Sequence, residues 1–308
     1  GRFFSPLVLN IARKEGIAMS ELESISGSGV DNRVTKKDIL NYIETRTAER
    51  PAAPTVEAPP QPRPAAATGA LPSTEEVRQK WQGKEVEIIP MENVRKRIAE
   101  HMVTSKQTSP HVYGVAECDF SKVMYLVDQH RESFQKREGF KLTVNPFILY
   151  ALIKAVRDFP GVNSSVEGQH IIQKNFLNVG MAVATDRGLI VPVLKNAHRL
   201  NFVGIAQNAY DLAIRTRESK LSVDDVQDST ITVTNYGVFG NIIGFPIINQ
   251  PNVAIMGVGA IKKRPVVIET EQGDMLGIRS MGFLSLSYDH RIVDGELGDK
   301  FLQRVNYY

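Results

Sequence analysis

Apolar residues recur along this chain at helical and strand spacings, which predict both kinds of element after about residue 84. Helical spacing marks "NVRKRIAEHMVTSK", with Val94, Ile98 and Met102 on one face. It also marks "FVGIAQNAYDLAIRTRES" and "NPFILYALIKAVRDF", the latter with Pro146 in its first turn. Strand-like runs are "FLNVGMAVAT", "LIVPVLK", "STITVTN", "VAIMGVG", "PVVIET" and "GFLSLSY", the last two joined around "EQGD". The pattern predicts an α/β domain with helices packed on a mixed sheet.

The first 45 or so residues predict a small all-helical unit instead. "SPLVLNIARKEGI" begins with Ser5 as an N-cap and Pro6 at the first helical position. "SELESI" reads as a short helical turn, and "SGSGVDNRV" as a tight loop. "TKKDILNYIETR" predicts a helix capped by Thr35, with Ile39, Leu40 and Ile43 turned inward. So small a core predicts marginal stability.

A linker is predicted between these two parts. Residues 51–72 contain seven Pro and seven Ala among 22 positions, a composition that cannot bury a core. The sequence therefore predicts three parts: a helical domain at 1–46, a flexible linker at 47–83 and an α/β domain at 84–308. Because the chain begins with Gly1, we expect it to be a fragment of a longer protein.

Composition excludes several classes of function. The net charge is only +3, with 37 basic and 34 acidic residues, so nucleic acid and membrane partners are not expected. The single cysteine, Cys118, excludes an internal disulfide and any cysteine-based zinc site. No apolar stretch approaches the roughly 20 residues of a membrane helix. We expect a reducing compartment, the cytoplasm or, in a eukaryote, the mitochondrial matrix.

Familiar catalytic and nucleotide-binding motifs are absent. The chain has no nucleophile elbow, no P-loop and no dinucleotide fingerprint, and its six histidines lack metal-ligand spacing. The glycines of "YGVFGNIIGF" lack the lysine that a phosphate loop needs. Cys118 is expected to be a small buried residue rather than a nucleophile.

One stretch near the end of the chain, "SLSYDHRIVDGELGDKFL", does suggest chemistry. An alternating run ends at Asp289 and His290, and Asp294 and Gly295 follow. A histidine at a strand end is more often structural than catalytic. Asp294, however, can share a face with His290 if a helix begins here. A neutral imidazole is also suited to removing a proton from a thiol or hydroxyl near neutral pH.

Several motifs resemble one enzyme family, the dihydrolipoyl acyltransferases that form the cores of 2-oxo acid dehydrogenase complexes. "SYDHRIVDG" is similar to their D-H-R-x-x-D-G signature and, more distantly, to the active site of chloramphenicol acetyltransferase. "MENVRKRIAEHMVTSKQTSPHV", "VGMAVATDRGLIVPVLKNA", "ITVTNYGVFG" and "FPIINQPNVAIMGVGAIKKRPVV" also resemble that catalytic core, in the same order. "SPLVLNIARKEGI" and "GSGVDNRVTKKDIL" resemble the family's peripheral subunit-binding domain. The resemblance implies a chloramphenicol-acetyltransferase-like α/β sandwich.

The resemblance also implies roles for particular residues. His290 would be the general base for the thiol of coenzyme A or dihydrolipoamide, and the thiolate would attack the thioester directly. Thr234 would donate to the oxyanion, and Asp294 would order the turn through an ion pair with Arg95 or Arg97. Candidate pocket residues are Tyr236, Gly237, Phe239 and Phe245. No metal is implied, and the acyl group is expected to be acetyl or branched-chain rather than succinyl.

Partners follow from the same resemblance. The N-terminal domain would bind the 2-oxo acid decarboxylase component, dihydrolipoyl dehydrogenase or both, through Arg13, Arg33, Lys36 and Lys37. Leu9 stands where family members often carry an arginine, and "GVDN" replaces a more basic loop. The core would form homotrimers, with His290 and Thr234 from neighbouring chains, that build a cubic or icosahedral assembly. The lipoyl group would sit on a domain that this sequence does not contain.

Two other readings remain open. The chain could be a non-catalytic scaffold of such a complex, although His290 and Asp294 are both present, and an inactive homologue would be free to lose them. The helical domain could instead bind nucleic acid through "RVTKKD", although acidic residues are interleaved with its basic ones.

Overall fold

The computed structural model describes residues 4–15, 17–29, 32–49, 72–186 and 188–308. The chain divides into two compact units, Gly1–Ile89 and Pro90–Tyr308. Nearly all of the Ala/Pro-rich segment 51–72 lies outside the described residues, so its role as a linker stays a prediction. The range 47–83 is not uniformly extended, because residues 74–80 form a helix whose first turn is capped by Ser73.

The first unit contains four helices within its described residues: α1 (Pro6–Lys14), α2 (Met19–Ser24), α3 (Lys36–Glu49) and α4 (Thr74–Lys80). The Ser5 hydroxyl accepts a hydrogen bond from the amide of Val8, as its predicted capping role requires. Eight buried side chains form the core: Phe4, Val8, Ala12, Ile17, Leu22, Ile25, Val34 and Ile39. The prediction that Leu40 turns inward was wrong, since it is 42% exposed.

The second unit is an α/β domain. Its helices are α5 (Asn93–Thr108), α6 (Ser121–Glu138), α7 (Asn145–Asp158), α8 (Phe202–Arg217) and α9 (Gly295–Tyr307). Its strands are β1 (His111–Asp119), β2 (Ser164–Glu167), β3 (His170–Gln173), β4 (Val179–Thr185), β5 (Gly188–Ile190), β6 (Val193–Leu194), β7 (Ile231–Asn235), β8 (Ala254–Val258), β9 (Lys262–Thr270) and β10 (Gly273–Asp289).

The main sheet is mixed, as predicted. Its strand order is β1-β10-β8-β7-β4-β5, with β6 paired to β4 and β9 paired to β10, while β2 and β3 form a separate hairpin. Strands β4, β7 and β8 run parallel, and β10 runs antiparallel to both β8 and β1. The carboxyl end of β10 therefore lies at the opposite edge of the sheet from the carboxyl ends of β7 and β8.

One face of the sheet packs on helices. The predicted apolar face of α7 is buried against it, at Ile148, Ala151, Leu152, Ala155 and Val156. Ile98 and Met102 of α5 are partly buried, whereas Val94, on the same helical stripe, is 59% exposed. No helix in the described ranges is long and apolar enough to span a membrane.

Strands β9 and β10 form a long hairpin with an apolar stripe on one side. Val267 pairs with Leu276 and Pro265 with Ile278, so all four residues share a face. Val267, Leu276 and Ile278 are 64, 79 and 75% exposed. Such a contiguous exposed apolar surface is typical of an interaction site.

Candidate active site

His290 follows β10 directly and is exposed. Its backbone amide donates to the carbonyl of Pro110 at 3.0 Å, which joins the turn to the start of β1. Its ring stacks on the buried Tyr288, with ring centroids 6.2 Å apart. In the described part of the chain, neither ring nitrogen has a hydrogen-bond partner, so the imidazole is open to a reactant.

Asp289, the residue before it, is fully buried and paired. Its carboxylate accepts from the Arg291 guanidinium at 2.6 Å and from the Ser109 hydroxyl at 2.6 Å. Burial by itself raises the pKa of this carboxyl, but the hydrogen bonds from Arg291 and Ser109 outweigh it and lower the pKa below its usual value. This ion pair, a buried carboxylate with a partly exposed guanidinium, fixes the backbone on both sides of His290.

A second set of polar contacts ties residues 248–250 to the same edge. The His111 ring accepts from the Ile248 amide at Nε2 and donates to the Ser109 carbonyl at Nδ1. Burial lowers the pKa of His111, so the neutral ring that this arrangement requires is favoured. The side-chain amide of Gln250 donates to the Ser109 hydroxyl at 2.8 Å. The edge that presents His290 is thus a connected polar network.

Asp294 acts locally in this chain as the N-cap of α9. Its Oδ1 accepts from the Leu297 amide at 2.8 Å, which fixes the start of the helix after the histidine turn. Among the described residues, no ion pair joins Asp294 to Arg95 or Arg97. Arg95 instead lies near Gly188 of β5. The predicted pair is therefore not formed within one chain.

Thr234 lies at the other edge, near the carboxyl end of β7, and lines a cavity of about 780 Å³. Most of its lining is apolar and comes from α7, α8, β4 and the loop after β7. Among the described residues, Lys141 and Arg217 contribute cations to the lining, and no acidic residue contributes. Along α8 the lining runs from Ala206 to Arg217, which is about 16 Å at the helical rise per residue.

The four candidate pocket residues separate in the structure. Tyr236 and Phe239 line the cavity with Thr234. Gly237 crosses close to Gly259, where a Cβ would come within 2.4 Å of that backbone. Phe245 lies elsewhere, with its ring centroid 5.0 Å from that of Tyr113 on β1. The aromatic residues of this loop therefore do not form one group.

Within one chain, His290 and Thr234 are far apart. Thr234 is the register partner of Gly257, which in turn pairs with Ser285 on β10. From Ser285, His290 is five residues further along, about 16 Å, and β7 is two strand spacings away, about 10 Å. An oxyanion donor must lie about 3 Å from the reacting centre. The two side chains of a single chain cannot act on the same atom.

The candidate partner-binding residues are on the first unit. Arg13, Arg33, Lys36 and Lys37 are all exposed. Leu9 packs partly buried against the helical core. Asp38 accepts from the backbone amides of Ser28 and Thr35, which lower its pKa and order the loop before α3. Asn32 in that loop has a φ of 58°, the left-handed conformation that its residue type permits.

Two further expectations concern Cys118 and metals. Cys118 is buried, and burial raises the pKa of its thiol to about 12, which agrees with a packing role. No group of metal-ligating side chains occurs in the described ranges. Sequence reasoning missed the roles of Asp289 and Arg291, although opposite charges two positions apart at a strand end indicate a shared face.

Comparison with known proteins adds family evidence. Residues 83–308 match the model described as 2-oxoacid dehydrogenases acyltransferase (catalytic domain), and residues 2–40 match the e3 binding domain. The chain is 38% identical to the lipoamide acyltransferase component of the branched-chain alpha-keto acid dehydrogenase complex of Bacillus subtilis, over 98% of this chain and 69% of that protein. It is 34% identical to the succinyltransferase component of the 2-oxoglutarate dehydrogenase complex of Escherichia coli, over 98% of this chain and 68% of that protein.

Among solved structures, the chain is similar to the cubic core of the pyruvate dehydrogenase multienzyme complex. The TM-score is 0.69 at 31% identity, covering 78% of this chain and 96% of that one. The chain spans about two thirds of the length of the two curated relatives.

Proposed function

Because the chain belongs to the family of 2-oxoacid dehydrogenase acyltransferases, we propose that it moves an acyl group between dihydrolipoamide and coenzyme A. The observation that carries this proposal is the exposed, unpartnered imidazole of His290 on a turn fixed by the ion pair of the buried Asp289 with Arg291. A scaffold has no need to keep an unpartnered imidazole exposed on an ordered edge.

His290 acts as the general base. Its neutral ring takes the proton of the attacking thiol, and the thiolate adds to the thioester carbonyl to give a tetrahedral oxyanion. The carbon–sulfur bond to the first carrier then breaks, and the departing thiolate regains a proton from the imidazolium. The acyl group passes directly between sulfurs with no acyl-enzyme.

Thr234 stabilises the oxyanion. Its hydroxyl has no hydrogen-bond partner in the described part of the chain, and it borders a largely apolar cavity where a hydrogen bond to developing charge is strong. The acyl thioester therefore lies on the Thr234 side, with its arm along α8. Lys141 and Arg217 of the cavity lining would favour the anionic carrier, coenzyme A.

The site is completed between two chains. The separation of His290 and Thr234 within one chain supports this, because each supplies what the other lacks. The apolar stripe at Val267, Leu276 and Ile278 supports a permanent contact with another copy. We infer a closed homotrimer with three equivalent sites. The similarity to a cubic core supports further assembly of trimers into a cubic or icosahedral particle.

The N-terminal unit supplies the link to partner enzymes. Its match to the e3 binding domain supports docking of the dihydrolipoyl dehydrogenase, the decarboxylase component or both. The exposed cations Arg13, Arg33, Lys36 and Lys37 are the residues proposed to face acidic partner surfaces. A lipoyl group would be delivered by a domain outside this sequence.

For the acyl group we propose a short apolar chain, acetyl or branched. The cavity beside Thr234 is mainly apolar, and the Bacillus subtilis relative belongs to a branched-chain complex.

Mixed trimers test the shared site. His290→Ala and Thr234→Val are each expected to be nearly inactive with acyl-coenzyme A and free dihydrolipoamide. Each single variant keeps the residue that the other lacks. Random co-assembly at equal amounts restores about a quarter of wild-type turnover, because one ordered pair of neighbours in four is intact.

The control is a mixture made from separately assembled, non-exchanging variants, which should stay inactive. Absence of recovery in the co-assembled sample would place both residues in one chain and overturn the shared site. Absence of acyl transfer in the wild type would overturn the proposed reaction itself.

A further inference from the structure

Tyr236 lies next to Thr234 on the side of the sheet that the loop after β7 covers. Thr234 and Gly257 are register partners on adjacent strands. A Cβ at Gly257 would come within 2.5 Å of Cε1 of Tyr236, so the aromatic ring lies over Gly257. Neighbouring strands are about 4.8 Å apart, so the ring stands roughly one strand spacing from the Thr234 backbone. Both side chains line the same cavity.

The ring is held from two sides. A Cβ at Gly244 would lie 3.0 Å from its Cε1, so Gly244 packs on the ring as closely as a residue without a side chain can. Any larger residue at Gly244 or Gly257 would displace the ring. The two glycines therefore form a slot for Tyr236, and the ring is a fixed wall rather than a mobile lid.

The Tyr236 hydroxyl is fully engaged. It lies 2.9 Å from the Ser285 hydroxyl, which lies 2.6 Å from the Gly244 carbonyl. A carbonyl only accepts, so Ser285 donates to Gly244 and must accept from Tyr236. Because Ser285 is completely buried, water has no access to replace the phenol there. The only proton of Tyr236 is thus committed and cannot serve a substrate.

We propose that Tyr236 is the residue that determines acyl selectivity. Its clamped ring limits the depth of the space beside Thr234, and so favours acetyl and small branched acyl groups over long ones. Its committed hydroxyl offers no donor to a distal carboxylate. This inference rests on the proposed function, because it requires the thioester carbonyl to sit at Thr234.

The test compares acyl-chain selectivity in active assemblies, with acetyl-, isobutyryl-, hexanoyl- and succinyl-coenzyme A as donors to free dihydrolipoamide. In Tyr236→Ala, the kcat/KM for hexanoyl relative to acetyl should rise by about 10-fold or more, as expected when a hydrophobic pocket gains several methylenes of room. Tyr236→Leu should give a smaller rise, and it serves if the alanine variant does not assemble.

Two controls distinguish the effect of removing the Tyr236 ring from the effect of a more flexible loop. Tyr236→Phe keeps the ring and should leave the hexanoyl-to-acetyl ratio within about threefold of wild type. Ile243→Ala changes an exposed residue of the same loop that does not line the cavity, and should leave the ratio unchanged.

Three outcomes overturn the inference. An unchanged ratio in folded, active Tyr236→Ala or Tyr236→Leu overturns it alone and leaves the proposed function standing. An equal rise in Ile243→Ala assigns the effect to the loop rather than to the ring. Absence of transfer from every donor in the wild type overturns the proposed function and, with it, this inference.

Discussion

The two edges of the sheet are built in opposite ways. At the carboxyl end of β10, a buried carboxylate, a guanidinium, Ser109, Gln250 and His111 form a hydrogen-bonded network beneath an exposed histidine. At the carboxyl ends of β4 and β7, a cavity of about 780 Å³ has a mainly apolar lining, with the hydroxyl of Thr234 at its side. The β10 edge holds one side chain, His290, in place, whereas the β4 and β7 edge provides a cavity for a ligand.

This difference indicates a division of work. A general base is effective only at a defined position, and buried charge-assisted hydrogen bonds hold a backbone strongly. An acyl subsite, by contrast, selects among acyl groups by its shape and by its lack of hydrogen-bond partners for polar groups. Placing the two properties at opposite edges of one domain requires a second chain to bring them together.

The largest effect is expected for His290→Ala. Removing the base should lower turnover by about 10²- to 10⁴-fold, the usual contribution of general-base catalysis. Particle size, measured by light scattering, should be unchanged because the ring is exposed. The matched control is His130→Ala, an exposed histidine on α6, which should keep full turnover. Near-normal turnover of His290→Ala would make the ordered edge structural only.

Asp289→Asn should have the next largest effect, on stability. The change leaves the partly exposed Arg291 and the buried Ser109 hydroxyl without their charged partner, and losing hydrogen bonds to a buried carboxylate costs about 2 kcal/mol in the free energy of unfolding. Urea unfolding of the assembled protein measures it.

Asp128→Asn is the matched control, since the pair of Asp128 with Arg131 is exposed and such pairs contribute less than about 1 kcal/mol. Equal losses of unfolding free energy in the two variants would show that the network beneath His290 stabilises the protein no more than an exposed ion pair does.

The smallest effect is expected for Asp294. Asp294→Ala removes the N-cap of α9 and should cost about 1 kcal/mol, whereas Asp294→Asn keeps a capping oxygen and should cost only a few tenths. Both values come from urea unfolding, and turnover is measured in parallel. If Asp294→Asn loses as much turnover as Asp294→Ala, the charge of Asp294 contributes to turnover apart from helix capping. That result would favour an ion pair with Arg95 or Arg97 of a neighbouring chain.

Much of this domain was predictable from local pattern. The apolar spacing of α7 and the β-branched runs of β7 and β8 correctly predicted one helix and two strands, because those side chains form the core. Strand β1 was missed because its buried positions are Gly114, Ala116 and Cys118, whose small side chains give little hydrophobic contrast. "LIVPVLK" was predicted as one strand, but Pro192 separates β5 from β6.

The candidate site was predictable only in part. His290 and Asp294 were found through a contiguous motif, and Thr234 only through the family resemblance. The clamp on Tyr236 could not be found this way, because Ser285 is 49 residues away and the slot depends on two glycines brought together by the sheet. Exposure of Leu40 and Val94 depends on tertiary packing, which periodicity alone does not specify.

Strand β10 belongs to both edges, since Ser285 supports the aromatic wall and His290 follows five residues later. Its side chains alternate, so Leu284 and Leu286 enter the helical core while Ser285 faces away from it. A substitution at the buried Ser285 should therefore act on the Tyr236 ring rather than on the packing of the helices against the sheet. The turn that carries His290 lies outside this contact, so the selection of the acyl group and the transfer of the proton can be altered separately.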